Sequence, residues 1–163
     1  MSKNHALISD LVKIHGNQRR SLLPILQGVY EQTHYISDEA IVEIARQFDL
    51  SSADVYGKAT FYSYLSTVPL GKYVIRVCKT IVCDMHKKKL IVDALEHLLK
   101  IKMGETTHNR EFTLLYTNCL GWCHKGPAML VNDDVYTELT PDKVRDIITH
   151  YKKLGYKESD YAR

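Results

Sequence analysis

The four cysteines of this chain form two close pairs, and no cysteine lies outside them. Cys78 and Cys83 make a C-x4-C pair, and Cys119 and Cys123 make a C-x3-C pair. Thiolates are soft metal ligands, and four of them together can hold a 2Fe-2S cluster. The spacing therefore predicts one site that uses every thiol of the chain, if the fold brings the two pairs together.

Other uses of paired cysteines stay open on spacing alone. Structural zinc sites usually combine short pairs of matching spacing, and thioredoxin-type redox motifs are C-x-x-C, so neither pattern fits both pairs well. Two disulfides would be typical of a secreted chain, but residues 1–6 carry no apolar signal segment, so we expect a reducing cytoplasm. The spacing favours iron–sulfur over zinc and over unligated or redox-active thiols.

Composition limits the remaining function classes. The 163 residues, of which 45% are hydrophobic, can form one medium domain or two small ones. A net charge of +3 is too small to predict a nucleic-acid partner. No run of about 18 apolar residues predicts membrane insertion. The eight glycines form neither a G-x-G-x-x-G motif nor a P-loop, and no Ser/His/Asp set stands out, so we assign no catalytic residue.

The periodicity changes near Pro69, which divides the chain into residues 1–69 and residues 70–163. The first part has helical spacing throughout. It begins with a stretch marked by Leu7, Leu11 and Ile14, and a second helix follows from about Ser21. Ser37 and Ser51 are good N-caps for two further helices, the last extending toward Leu65. The first part is predicted to be a small helical bundle.

The second part begins with alternating apolar residues that end at Cys78. A helix over Leu90–Leu99, a strand over Phe112–Tyr116, a hairpin around residues 132–134 and a last helix opened by Thr140-Pro141 follow. Both cysteine pairs therefore leave the ends of strands. The prediction is an α+β protein in which a helical bundle precedes an α/β domain with a small mixed sheet. Gly121 should turn the second pair tightly, and Trp122 could shield the site.

Several segments match, in order, the motifs of one family, and together they cover roughly residues 20–153. The matching segments are Leu23-Pro24-Ile25-Leu26-Gln27, Val55-Tyr56-Gly57-Lys58-Ala59-Thr60-Phe61-Tyr62, Gly71-Lys72-Tyr73, Val77-Cys78, Cys119-Leu120-Gly121-Trp122-Cys123, Gly126-Pro127-Ala128 and Val131-Asn132-Asp133-Asp134-Val135-Tyr136. In these segments the chain resembles the thioredoxin-like 2Fe-2S proteins. Proteins of this family are the small iron–sulfur subunit of NADH dehydrogenase (respiratory complex I) and of related NAD(P)-linked hydrogenase, formate dehydrogenase and electron-bifurcating complexes.

This resemblance implies a division of labour between subunits. The family's four ligand positions fall on Cys78, Cys83, Cys119 and Cys123, which would hold one 2Fe-2S cluster. A partner flavoprotein would bind FMN and NAD(P)(H) and transfer the hydride, and a further iron–sulfur or catalytic subunit would complete the complex. The helical part is similar to the family's docking bundle. The chain is then an oxidoreductase subunit that does not itself transfer hydride.

Two expectations go beyond the ligand set. Because the chain has little besides the bundle and the cluster domain, a soluble hydrogenase-type or electron-bifurcating complex is preferred, with complex I or formate dehydrogenase as the alternative. Between the two cysteines of the first pair, family members usually have small residues, often including glycine, whereas this chain has Lys79-Thr80-Ile81-Val82. Lys79, His86 and His124 could therefore raise the reduction potential. A zinc-stabilised adaptor and a freestanding ferredoxin are the alternatives of other classes.

Overall fold

The computed structural model describes residues 3–154. They fall into two compact units, one ending at Pro69 and the other beginning at Leu70. Within the described residues, no helix has both the length and the apolar character needed to cross a bilayer. Each unit has its own hydrophobic core.

The first unit is built from four helices around an aliphatic core. Ile8, Ile25, Ile44 and Val55, one from each helix, are fully buried in that core. The spacing of these apolar residues explains why each segment is helical: one face of each helix is removed from water. The helices are α1 (Lys3–His15), α2 (Leu22–Thr33), α3 (Asp38–Phe48) and α4 (Ser52–Phe61).

Two serines begin helices of this unit as predicted. The Ser37 hydroxyl accepts a hydrogen bond from the Ala40 N–H at 3.2 Å, and the Ser51 hydroxyl accepts one from the Asp54 N–H at 3.1 Å. The predicted extension of the last helix to Leu65 is wrong. The backbone turns extended at Tyr62, and the Leu65 N–H instead closes a turn on the Tyr62 carbonyl at 2.9 Å.

The second unit is a four-stranded mixed sheet with three helices. The strands lie in the order β2-β1-β3-β4; β1 and β2 are parallel, whereas β3 is antiparallel to both β1 and β4. The predicted α+β class with a small mixed sheet is therefore confirmed. The elements are β1 (Tyr73–Cys78), α5 (Ile81–Met85), α6 (Lys88–Leu99), β2 (Phe112–Thr117), β3 (Met129–Val131), β4 (Asp134–Tyr136) and α7 (Pro141–Lys153).

The hairpin forms although its turn contains no glycine. Asn132 takes the left-handed conformation at φ +53°, which asparagine tolerates better than most residues. Its side-chain oxygen also accepts a hydrogen bond from the Val74 N–H at 2.8 Å. The turn is thereby attached to β1 as well as to its own two strands.

The core of this unit lies between the sheet and helices α6 and α7. Leu95 on α6, Val144 on α7 and Ile75 on β1 are all fully buried. The Thr140 hydroxyl caps α7 by accepting a hydrogen bond from the Lys143 N–H at 3.2 Å, and Pro141 occupies the first helical position as predicted. Leu90, the first residue of the predicted helix, is half exposed, because the buried stripe of α6 passes through Ile91 and Val92 instead.

Glu43 is the most strongly bonded carboxylate of the helical unit. It accepts hydrogen bonds from Arg46 at 2.9 Å, Gln47 at 2.7 Å and the His5 ring at 2.8 Å. These bonds, led by the one from Arg46, lower the pKa of Glu43 from an ordinary 4.5 to about 2. The ionised carboxylate therefore links α1 to α3.

Replacing each of two glycines by alanine should change the stability of the fold in opposite directions. A Cβ on Gly71 would lie 2.9 Å from the backbone carbon of Phe112, whereas a Cβ on Gly57 would meet nothing within 4 Å. We expect Gly71→Ala to destabilise the chain by about 1–3 kcal/mol through overpacking. Gly57→Ala, inside α4, should stabilise it by roughly 0.5–1 kcal/mol. Denaturant unfolding followed by circular dichroism measures both, and equal shifts would contradict the assigned packing.

The Glu43 contacts predict a pH dependence of stability. Because the folded pKa lies below the unfolded one, the stabilisation is complete above about pH 4.5 and is lost as the pH falls toward 2. Glu43→Gln should be less stable than the wild type at pH 7 and lose less stability on acidification to pH 3. Glu31→Gln, an exposed position on α2, is the control. Parallel stability curves for all three proteins would refute the assignment.

Candidate metal centre

The parallel pairing of β1 and β2 brings the two cysteine pairs to one edge of the sheet. Cys78 is the last residue of β1 and lies opposite Thr117, the last residue of β2. The pairing continues one step further, where the Lys79 N–H donates to the Thr117 carbonyl at 2.9 Å. Cys119 follows two residues after Thr117. Both cysteine segments therefore leave the sheet side by side, as the sequence predicted.

The first pair extends from the end of β1 into a helix. Cys83 lies inside the short helix α5, and both Cys78 and Cys83 are buried. Thr80 stands at the N-cap of α5, but its hydroxyl makes no cap hydrogen bond. The hydroxyl lies instead 3.1 Å from the Cys78 sulfur. The Thr80 side chain thus interacts with the Cys78 thiol and does not cap α5.

The second pair is closed by Gly121. This residue has φ +84°, a conformation that residues with a side chain rarely adopt. Its N–H donates to the Cys119 sulfur at 3.4 Å, and the two sulfur atoms of Cys119 and Cys123 are 3.2 Å apart. Cys119 is exposed and Cys123 is partly buried. The second pair therefore forms the outer side of the site.

The thiols influence one another electrostatically. Burial raises the pKa of Cys78, but hydrogen bonds from the Thr80 hydroxyl and from the backbone N–H groups of Thr80 and Leu120 outweigh it, so the pKa is lowered. Burial and the neighbouring Cys78 raise the pKa of Cys83. The pKa of Cys123 is raised by Cys119, by burial and by the charges of the first pair. The two pairs thus form a single electrostatic group.

The donor set fits a 2Fe-2S cluster. Among residues 3–154 no three His, Cys, Asp or Glu side chains converge as the ligands of a single ion; the thiols come as two pairs. The Gly121 N–H donates to the Cys119 sulfur, and the backbone N–H of Leu120 helps to lower the pKa of Cys78. Such groups favour the thiolate form that iron requires. Two pairs of thiols can supply two ligands to each of two irons.

The other side chains singled out in the sequence lie at the rim. Lys79, His86 and His124 are all exposed, so water screens their charges and their effect on the potential stays a prediction. Trp122 is 40% exposed, and its ring stacks on His124 with centroids 5.9 Å apart. Trp122 therefore covers part of the surface near Cys123 without being buried in a core.

Sequence reasoning missed Lys88. This residue belongs to the basic run of residues 86–89, a pattern typical of a solvated helix face, yet it is only 8% exposed. Its ammonium donates to the Lys79 carbonyl at 3.1 Å and pairs with Asp84 at 2.8 Å. The only sequence signal for this burial is that Lys88 follows Asp84 at the i,i+4 spacing. Opposite charges at this spacing can pair along one face of a helix.

Known proteins with similar sequences belong to NADH-quinone oxidoreductases. The chain is 40% identical over 145 residues to one subunit of the NADH-quinone oxidoreductase of Buchnera aphidicola, covering 89% of this chain and 90% of that protein. It is 40% identical over 138 residues to the subunit of the same name from Escherichia coli, covering 85% of this chain and 83% of that protein. The similarity therefore extends over both units.

A solved structure shares the fold of this chain, and a family profile matches its sequence. The fold matches NAD+-reducing [NiFe]-hydrogenase in the air-oxidized state, with a TM-score of 0.71 at 19% identity over 86% of this chain. This chain spans about a quarter of that chain, 25%. The profile of thioredoxin-like [2Fe-2S] ferredoxins matches residues 8–152. The chain therefore belongs to the thioredoxin-like [2Fe-2S] ferredoxin family.

Proposed function

We propose that Cys78, Cys83, Cys119 and Cys123 hold the 2Fe-2S cluster of this family and that the chain is an electron-transfer subunit of an NADH-linked oxidoreductase. The observation that supports the proposal is the parallel β1–β2 pairing, which brings the segments that carry the two cysteine pairs to the same sheet edge. The cluster, when bound, supplies one-electron transfer. The protein supplies the thiolates, partial burial and hydrogen bonds to sulfur, which together set the reduction potential.

Hydride chemistry is assigned to a partner. The relatives' name specifies an NADH-quinone oxidoreductase, and the present chain contains no nucleotide-binding glycine motif. We therefore place FMN and NAD(P)(H) on a flavoprotein subunit in the cytoplasm. The exposed Cys119 side of the site faces outward, where an electron from a flavin could enter or leave over a short distance.

The type of complex is also a proposal. The preference for a hydrogenase-type or electron-bifurcating complex stays a prediction, because the hydrogenase similarity is at 19–20% identity and concerns the fold. The respiratory alternative has the stronger support, since relatives named as NADH-quinone oxidoreductase subunits are 40% identical. We favour an NADH-quinone oxidoreductase type of complex. The formate dehydrogenase alternative has no comparable support.

The helical unit provides a surface on which a partner could dock. A pocket of about 440 Å³ has an apolar floor and a basic rim. Phe61, beside this pocket in sequence, is 78% exposed. Within the described part of the chain, the three cations of the rim form no ion pair. The pocket is lined by Arg19, Arg20, Leu22, Leu23, Leu26, Lys58 and Tyr62.

These properties suit an acidic segment that also carries apolar side chains. Carboxylates would meet the cations, while apolar groups would cover the leucines, so charge complementarity would determine orientation and association rate. We propose that such a segment of the flavoprotein binds here. A partner that stays bound at this surface would fit a fixed subunit, whereas a freestanding ferredoxin must leave its partner readily.

The ligand assignment is tested by metal content. We expect anaerobically purified wild-type protein to contain about two irons per chain and to give an electron paramagnetic resonance signal only after reduction. Cys83→Ala should lose most of that iron, because it removes a buried ligand. Asn118→Ala, at an exposed position beside Cys119, is the matched control and should keep it. One zinc per chain with no signal would instead establish the adaptor.

The docking surface is tested by charge reversal. Arg19→Glu combined with Lys58→Glu should weaken binding to the co-expressed FMN subunit about tenfold or more, equivalent to ~1.4 kcal/mol, and should reduce its salt dependence. Lys13→Glu, on the exposed side of α1, is the control. Quantitative co-purification at several salt concentrations measures the effect. Unchanged binding in the double variant would show that the partner docks elsewhere.

A further inference from the structure

Lys88 connects the two backbone segments that follow the cysteines of the first pair. Its ammonium lies 3.1 Å from the carbonyl of Lys79, the residue after Cys78. The same ammonium lies 2.8 Å from the carboxylate of Asp84, the residue after Cys83. A buried cation is costly unless it is paired and hydrogen-bonded, and these two contacts meet that need. One side chain thus joins both ends of the C-x4-C segment.

The contact with Lys79 also orients the next N–H group. The Lys79 carbonyl and the Thr80 N–H belong to one planar peptide unit, in which a trans peptide points them in opposite directions. Lys88 holds the carbonyl on one side, so the Thr80 N–H is held on the opposite side, from which the Thr80 backbone helps to lower the pKa of Cys78. The Thr80 hydroxyl lies 3.1 Å from the Cys78 sulfur.

Burial makes the charge of Lys88 more effective than those at the rim. Lys88 is 8% exposed, whereas Lys79, His86 and His124 face water, and screening by water and salt weakens exposed charges far more than buried ones. Asp84 offsets part of the charge, but its side chain is 47% exposed. The oriented peptide and the buried ammonium act in the same direction, since both favour added negative charge at Cys78.

We propose that Lys88 is a positioning residue that orients the Lys79–Thr80 peptide toward the Cys78 sulfur and thereby raises the reduction potential of the metal centre. This inference rests on the proposed function for its consequence, but not for its structural part. Loss of Lys88 should free the peptide to rotate, weaken the hydrogen bond to sulfur and remove a buried positive charge, so the reduced state becomes less favourable.

The test compares two neighbouring lysines. Lys88→Met removes the ammonium with little change in shape, and Lys89→Met removes an equal charge from an exposed neighbour. A redox titration followed by electron paramagnetic resonance should show a lower potential in Lys88→Met, by about tenfold in the reduction equilibrium, ~59 mV for one electron. Lys89→Met should stay near the wild type, and Lys88→Arg should restore part of the shift.

A second measurement needs no metal. In the metal-free protein, amide hydrogen exchange at Thr80 should be at least tenfold faster in Lys88→Met than in Lys89→Met. If Lys88→Met does not fold, Lys88→Gln replaces it in both measurements. Equal potentials and equal Thr80 exchange in the two variants would overturn the proposal. A wild-type protein without iron would overturn the proposed function instead, and the exchange result would still decide whether Lys88 orients the peptide.

Discussion

The parallel hydrogen-bond ladder between β1 and β2 is the interaction on which the site depends. In a parallel pair the carboxyl ends of both strands lie at one edge, so the residues that follow Cys78 and Thr117 emerge side by side. An antiparallel pairing of the same strands would place the two cysteine segments at opposite edges. The helix α6 makes the parallel arrangement feasible, because parallel strands need a long crossover.

Gathering four thiols has an electrostatic consequence. Ionising one thiol makes its neighbours harder to ionise. This repulsion adds to burial in raising the pKa of Cys83, and the neighbouring Cys119 is the main cause that raises the pKa of Cys123. A metal that replaces the protons removes this conflict. The backbone N–H groups aimed at sulfur prepare the site for that charge, and they are held by local devices such as the left-handed Gly121.

The exposure of the four cysteines increases from the first pair to the second pair. Cys78 and Cys83 are buried, Cys123 is partly buried and Cys119 is exposed. The buried side is fastened to the sheet and to α5, whereas the outer side is a turn that carries Trp122 and His124. The buried cysteines are held firmly, while the exposed side of the site leaves only a short distance for an electron to reach the surface. An electron-transfer subunit needs both properties. In the helical unit, Arg19, Arg20, Lys58 and Phe61 are exposed and lie outside its separate core.

The sequence by itself determined the type and order of nearly all elements, because apolar periodicity, serine and threonine caps and Pro141 act over a few residues. It also determined which thiols are available and, through ordered motifs, the family. The tertiary structure decided what depends on distant partners. Examples are the helix around Cys83, the end of α4 at Phe61, the left-handed Asn132 bonded to Val74, and the burial of Lys88 in a basic run that otherwise has the composition of a solvated surface. The bond between Asn132 and Val74 joins residues far apart in the chain, and the burial of Lys88 depends on how the chain packs around it, which local patterns do not specify.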